Sequence, residues 1–447
     1  MTDAQNSSIR NIGFVATRVH GTDGVSLEIG KWTRVLEHLG YDCFFVCGKS
    51  DRRDERTFLI EEADFLHPSI QTLNHQLFGR HYRSRGLSSH IRELANLMKQ
   101  QIYAAIEQFS LDLLIAQNSL TIPLNIPLGA ALLEVLIETG LPCIAHHHDF
   151  AWERERFLIN AANDYIDAVF PPAIADIDHV VISSLAGEEF GRRTGLPYRV
   201  IPNVMDFAHP PAEPDDYACD FRETLGIDQD DILILQPTRV VPRKGIEHTV
   251  ELVRRLDDPR CKLVVTHNGN DEGQSYGLRI RQYAEMLGVE IVFAEDHIAD
   301  QRGQTPQGAK QYAIWDAYPH ADLVAYPSTF EGFGNAFLEA VYYRKPIFCN
   351  RYTIFRTDIE PCGFEAIVME GFLTDEVVSQ VRKVLTDHEY RQAMVEQNYR
   401  AARKYYSFER VEQELRSILD KPRPSGPVSD RQANPEGVPS GVGRRNE

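Results

Sequence analysis

The 447-residue sequence has little of what would tie it to a membrane, a nucleic acid or an oxidising compartment. No apolar run approaches the ~20 residues that span a bilayer, and residues 1–10, M-T-D-A-Q-N-S-S-I-R, lack the apolar centre of a signal peptide. Lysine and arginine number 47 against 65 acidic residues, and the resulting charge of −18 opposes binding to nucleic acid or an anionic lipid face. The seven cysteines are odd in number and scattered, so no disulfide framework is expected. Cys43 and Cys47, four apart on an apolar strand, have no neighbours to complete a zinc site. The three-glycine dinucleotide fingerprint is missing, which counts against an NAD enzyme. Together these point to a cytoplasmic protein without nucleic-acid or integral-membrane partners. What remains is 43% hydrophobic residues over a length that calls for two domains.

Short apolar runs alternate with helical periodicity, the pattern of an α/β protein. Residues 11–17 read as a strand, followed by a glycine turn at Gly21 to Gly24 and a helix with Trp32, Val35, Leu36 and Leu39 on one face. Residues 42–47 form the second strand. Residues 52–85 are long and polar and read as a surface loop, with a basic focus at 78–85; Arg80, Arg83 and Arg85 would there suit an acidic acceptor. A helix at 88–109 leads to a strand at 111–116, whose carboxyl end carries Gln117-Asn118, where ligands of α/β sheets bind. A strand at 142–145 ends in His146-His147-His148-Asp149. Alternation sends His146 and His148 to one face and His147 to the other, which argues against a shared metal. The proline-rich, acidic stretch 210–216 marks the domain boundary. Further strands are expected at 179–182, 198–201, 232–236, 263–266, 291–293, 323–326, 347–349 and 366–368. Residues 421–447 have no apolar period and are expected to be disordered.

Two stretches carry chemistry. In P-T-R-V-V-P-R-K-G, from Pro237, fixed cations follow a strand's carboxyl end, which suits a diphosphate leaving group. At 326–347, Y-P-S-T-F-E-G-F-G-N-A-F-L-E-A-V-Y-Y-R-K-P-I reads as strand end, glycine turn and helix start. That arrangement presents free N–H groups and a positive helix end to an anion. Glu331 and Glu339 flank it; ionised carboxylates only accept hydrogen bonds, so sugar hydroxyls are their natural partners.

The pattern S-x-x-E-G-F-G-x-x-x-x-E-A, with two glutamates eight positions apart, resembles the signature of retaining nucleotide-sugar glycosyltransferases of family four. That GT-B family includes sucrose-phosphate synthases and bacterial phosphatidylinositol mannosyltransferases, and the resemblance covers about residues 11–420. It implies that Gly21, Asp23 and Gly24 face the donor phosphates. It implies that His148 touches a hydroxyl of the transferred sugar, with Asp149 orienting its ring, and that Trp152, Glu153 and Arg154 face the acceptor. Arg239 and Lys244, five apart as in the family, would hold the diphosphate, with Arg243 a solvated neighbour. Asn268 lies in H-N-G-N, which resembles the sucrose-phosphate synthase branch, and Glu295-Asp296-His297 would lie beside the nucleobase. Gly332, Phe333 and Gly334 would line the donor, Glu331 would hold its sugar and Glu339 its ribose. Val204 and Arg344 stand where the family has glycine.

The resemblance implies two Rossmann-like doubly wound domains facing across a cleft. An acceptor domain would span 1–207 and a nucleotide-sugar domain 208–395, with a helix at 396–420 crossing back to the first. The expected activity is retaining transfer of a hexose from GDP-mannose or UDP-glucose to a small soluble acceptor, anionic if the 80–85 arginines serve it. No cofactor or metal is expected beyond the co-substrate. The alternatives are a nucleotide-sugar-binding protein without catalysis, or a phosphorylase or epimerase on the same scaffold. The oligomeric state is not legible.

Overall fold

In the computed structural model, which describes residues 9–174, 176–267 and 270–421 (the side chains of 270–274 excepted), the chain builds two parallel sheets. Asn268 and the expected disordered tail beyond residue 421 lie outside the described residues. The first sheet contains β1 (Asn11–Ala16), β2 (Asp42–Cys47), β3 (Thr57–Leu59), β4 (Leu113–Gln117), β5 (Cys143–His147), β6 (Ile177–Val181) and β7 (Arg199–Val200). Its order is β3-β2-β1-β4-β5-β6-β7, parallel throughout. The second contains β8 (Ile232–Arg239), β9 (Cys261–His267), β10 (Ile291–Phe293), then, after a small sheet of β11 (Ile298–Ala299), β12 (Gly303–Gln304) and β13 (Lys310–Ala313), β14 (Leu323–Tyr326), β15 (Ile347–Asn350) and β16 (Ile367–Met369). The large sheet runs β10-β9-β8-β14-β15-β16. Helices cover both faces of each sheet, which is why the central strands are continuous apolar runs rather than alternating ones.

The expected architecture of two Rossmann-like domains is therefore present. The loops that meet across the cleft all follow the carboxyl ends of strands. Thr22 Oγ1, after β1, donates to Asp300 Oδ1 after β11 at 2.5 Å, and Asn203 Nδ2 donates to Asn335 Oδ1 at 2.7 Å. The helix Phe408–Leu419 crosses back to the first domain, where Val411, Leu415 and Ile418 join the cluster of Trp32, Val35 and Leu36. Among the described residues no helix is long and apolar enough to cross a membrane, and all seven cysteines are free thiols.

The reading of 52–85 as a loop is corrected. It contains β3 and the helix Pro68–Leu77, which buries Ile70, Leu73 and Leu77 under the sheet. Those positions follow helical spacing, and Pro68 begins the helix where a missing N–H costs nothing. The polar residues between them masked the pattern. The small sheet at 298–313 was not expected either. Arg344 does the backbone work of the glycine it replaces: its φ is 50°, and its side chain pairs with Glu396 at 2.7 Å while lying 3.7 Å over the ring of Tyr399. Val204 needs no such conformation and is simply buried in the first domain's core.

Candidate active site

The cationic wall grows from β8. A register shift against β9 between Gln236 and Arg239, at Pro237, ends the regular ladder and turns Arg239 outward to an exposed position. The turn Pro242–Lys244 follows. Gln236 Nε2 ties it down by donating to the Lys244 carbonyl at 3.0 Å, and Thr249 Oγ1 holds Gln236 Oε1 at 2.7 Å. Gly245 takes φ 60°, where a methyl group would lie 2.6 Å from the Pro327 carbonyl. Close approach thus requires glycine here, and it packs the turn against the loop after β14. The Thr329 N–H completes the join on the Arg243 carbonyl at 2.9 Å.

The two stretches thereby become one site. Lys244 donates to Glu331 Oε1, and Arg243 donates to Oε2 at 3.1 Å. Arg243 is a half-buried partner of Glu331, not the solvated neighbour expected from the sequence. Burial opposes the charge on Glu331, but the two cations outweigh it and hold the carboxyl below its ordinary pKa. Lys244 is buried too, and burial together with Arg243 and Arg239 lowers its pKa against the pull of Glu331.

Beyond the glycine turn, Gly334 takes φ 121°, and a methyl there would fall 2.3 Å from the Tyr352 hydroxyl. The helix Asn335–Tyr342 then begins, carrying Glu339 in its second turn. Tyr318 donates to Glu339 Oε2 at 2.6 Å, while burial raises the Glu339 pKa. Phe333 points into the core, 2% exposed, with its ring against Tyr406. Its side chain does not face the cleft, so a donor would meet the backbone there. Gly332 is exposed, and a methyl on it would lie 3.5 Å from the His148 carbonyl of the other domain.

On the first domain's side, β5 runs two residues further than expected and takes in His146 and His147. Alternation holds: the His146 and His148 rings lie tilted against each other with centroids 4.3 Å apart, while His147 faces His179 on the opposite side at 2.9 Å. Among the described residues no three histidine, cysteine or acidic groups are arranged to hold a metal. His148 Nε2 contacts Gln117 Oε1 at 3.0 Å, and its N–H donates to Asn118 Oδ1 at 3.1 Å. Burial lowers its pKa to about 4 against the opposing fields of Asp149 and Asp23, so the ring is neutral near pH 7. Gln117 and Asn118 orient His148. Asp149 does not hold its ring as expected, because its own oxygens accept from Asn118 at 2.9 Å and Arg154 at 2.6 Å.

The remaining expected residues are engaged differently. Asp23 caps the helix Gly24–His38 through the N–H groups of Val25 and Ser26 and receives Arg18, so it supplies the helix start with an internal anion. The Gly21 N–H donates to Asp51 at 2.9 Å. Gly24 is exposed beside Asn335. Trp152 stacks on Phe150 at 4.4 Å with Arg193 over its ring at 5.0 Å, which leaves little ring surface for an acceptor. Arg83 is spent on a two-pronged pair with Asp164, both bonds at 2.6 Å, and on the Ala161 carbonyl; Arg80 is exposed. An acceptor role for Arg83 would require breaking that pair. Tyr318 was missed altogether: nothing in its local sequence distinguishes it from a core tyrosine.

The chain is similar to known proteins in sequence and in fold. The family Glycosyl transferases group 1 matches residues 220–401. A mannosylglucosylglycerate synthase from Petrotoga mobilis is 33% identical over 388 residues, covering 80% of this chain and 86% of that protein. One from Thermotoga maritima is 27% identical over 437 residues, covering 89% and 97%. The fold matches Anabaena HepE in complex with UDP-glucose, with a TM-score of 0.62, 14% identity, and 92% and 99% of the two chains covered. It likewise matches sucrose-phosphate synthase from Thermosynechococcus elongatus, with a TM-score of 0.63, 14% identity, and coverage of 92% and 98%. With 33% identity to the Petrotoga mobilis protein over most of both chains, and the family match at 220–401, the chain belongs to the glycosyl transferases of group 1.

Proposed function

We propose that this glycosyltransferase moves a mannosyl group, with retention, from a nucleotide-diphosphate mannose to a small acceptor bearing a carboxylate, of the glucosylglycerate class. The observation that carries the chemistry is the Lys244–Glu331 contact, next to Gly332, which approaches the His148 carbonyl of the other domain, with Arg239 and Glu339 within electrostatic reach of Lys244. The relatives' name, mannosylglucosylglycerate synthase, favours mannose over glucose and an anionic acceptor.

In this reading the bond from the sugar's C1 to the phosphate oxygen breaks as C1 bonds the acceptor oxygen on the same face. The departing diphosphate takes the acceptor's proton, so no side chain need serve as base. Arg239 and Lys244 stabilise the charge that grows on the diphosphate, an interaction stronger in the transition state than before it. Lys244 exchanges Glu331 for phosphate, and Glu331 turns to sugar hydroxyls. His148, neutral, is a hydrogen-bonding partner for the sugar, and Glu339 accepts from the ribose. The chemistry needs no bound metal.

The purified protein is supplied with GDP-mannose or UDP-glucose and glucosylglycerate, with and without EDTA. The expected product carries mannose in the donor's own anomeric configuration, read by NMR, at a rate unaffected by EDTA. Neither transfer nor donor hydrolysis above the uncatalysed rate would establish a non-catalytic binder instead.

A further inference from the structure

The helices Gly24–His38 and Asn335–Tyr342 belong to different domains and meet where Gly24 faces the Asn335 amide, at 3.3 Å from a methyl placed on Gly24. Glu28 and Lys31 follow Gly24 at spacings of four and three, hence on the same helix face, and Glu339 follows Asn335 by four. Glu28 is 0% exposed, among the apolar positions that bury Ile29, Trp32 and Leu36. Lys31 Nζ donates to its Oε1 at 2.6 Å, and the Val204 backbone supports the carboxylate, which burial nonetheless holds above its ordinary pKa. The Lys31 side chain keeps only 13% of its exposure.

A buried ion pair is a poor way to stabilise a helix, because desolvation cancels most of the attraction. It is a good way to hold an ammonium in one place. The contact of Gly24 with Asn335 brings this helix face against the helix that carries Glu339, and, beside the larger effects of burial, the Lys31 charge is felt by Glu339 in one domain and His148 in the other. The ammonium therefore lies near the two groups assigned to the donor's ribose and sugar. Glu28 uses one of its three N–H bonds, and the others are available to a ligand.

We propose that Lys31 is a donor-binding residue supplied by the amino-terminal domain, its ammonium anchored by Glu28 and directed at the ribose–phosphate of a nucleoside diphosphate whose hydroxyls Glu339 accepts. This rests on the assignment of a nucleotide-diphosphate sugar as donor. Lys31 and Glu339 sit on different domains, so one ligand reaches both only when the domains are together. The contact thus couples donor binding to cleft closure.

The test uses Lys31→Met, Lys31→Arg and the double variant Glu28→Gln/Lys31→Met, which removes both charges so that no carboxylate is left buried alone. Thermal melting establishes that the double variant is folded. GDP and UDP affinities are measured by calorimetry, and KM is measured for donor and acceptor separately. Expected for Lys31→Met and the double variant is a loss of nucleotide affinity and a rise in donor KM of about tenfold or more, the scale of one charge-assisted hydrogen bond. The acceptor KM stays within about threefold, and Lys31→Arg recovers part of the loss. A folded double variant that binds the nucleotide within about twofold of wild type overturns the proposal while leaving the functional reading intact. A wild type that binds neither nucleotide overturns the functional reading, and this contact with it.

Discussion

The Tyr318 hydroxyl donates to Glu339 Oε2 at 2.6 Å, joining the turn before β14 to the helix after it. The bond fixes the carboxylate assigned to the ribose and favours its charged form, while burial raises its pKa. Tyr318→Phe is expected to raise donor KM about three- to tenfold, the worth of one oriented hydrogen bond, with kcat less affected. The sign of the pH effect follows. Donor binding needs the ionised carboxylate, so affinity falls as pH drops through the raised pKa. Removing the phenol lifts that pKa further, so the acid limb of kcat/KM for the donor moves to higher pH. An unmoved limb would dissociate Tyr318 from Glu339 function.

Lys244→Ala removes a cation whose interaction strengthens as the diphosphate departs. Turnover is expected to fall about 10²–10³-fold with a much smaller change in donor binding. Arg243→Ala leaves Glu331 its Lys244 partner and affects turnover far less. Steady-state kinetics on both variants separate the two cations; equal losses would mean that Glu331, not the diphosphate, is what they serve.

The buried histidines make the fold acid-sensitive. His147 lies between Thr121 at 2.5 Å and His179 at 2.9 Å, and burial lowers the His179 pKa to about 4. The unfolded chain takes up a proton near pH 6.5 that the folded one refuses until about pH 4. The stability this group contributes is full above pH 6.5 and is lost between those values, at about 1.4 kcal/mol per pH unit. Thermal melting from pH 7.5 to 4 should show Tm falling through that window, and less steeply in His179→Leu.

Arg344 separates backbone from side-chain effects. Its left-handed φ of 50° costs about 1 kcal/mol, which the Glu396 pair and the Tyr399 ring offset by a similar amount. Arg344→Gly exchanges one for the other and is expected to change stability by less than about 1 kcal/mol, whereas Arg344→Ala keeps the strained backbone, loses the contacts and is destabilised by about 1 kcal/mol. Urea denaturation of both variants checks the order.

Much of this was legible because its causes are local. Parallel strands covered on both faces must be apolar, so β14, buried throughout, could be placed to the residue from the sequence, as could the largely apolar β2 and β10. The E-G-F-G turn was legible because only glycine can take the Gly334 conformation beneath Tyr352. The helix Pro68–Leu77 left its signal in Ile70, Leu73 and Leu77, but a polar surround outweighed three residues. Glu28 left one too: a carboxylate standing within an apolar stripe.

The sequence by itself determined most strands of the two large sheets, the glycine turns and the residue types of the site, since each follows from backbone geometry or side-chain chemistry over a few neighbours. Which charges meet was decided only by the tertiary structure. Lys244 and Glu331 are 87 positions apart, and Arg83 and Asp164 are 81. One pair closes across the candidate donor site, and the other engages an arginine that the sequence offered to an acceptor. Both obey the same electrostatics, and only the packing of the sheets says which partner lies within reach.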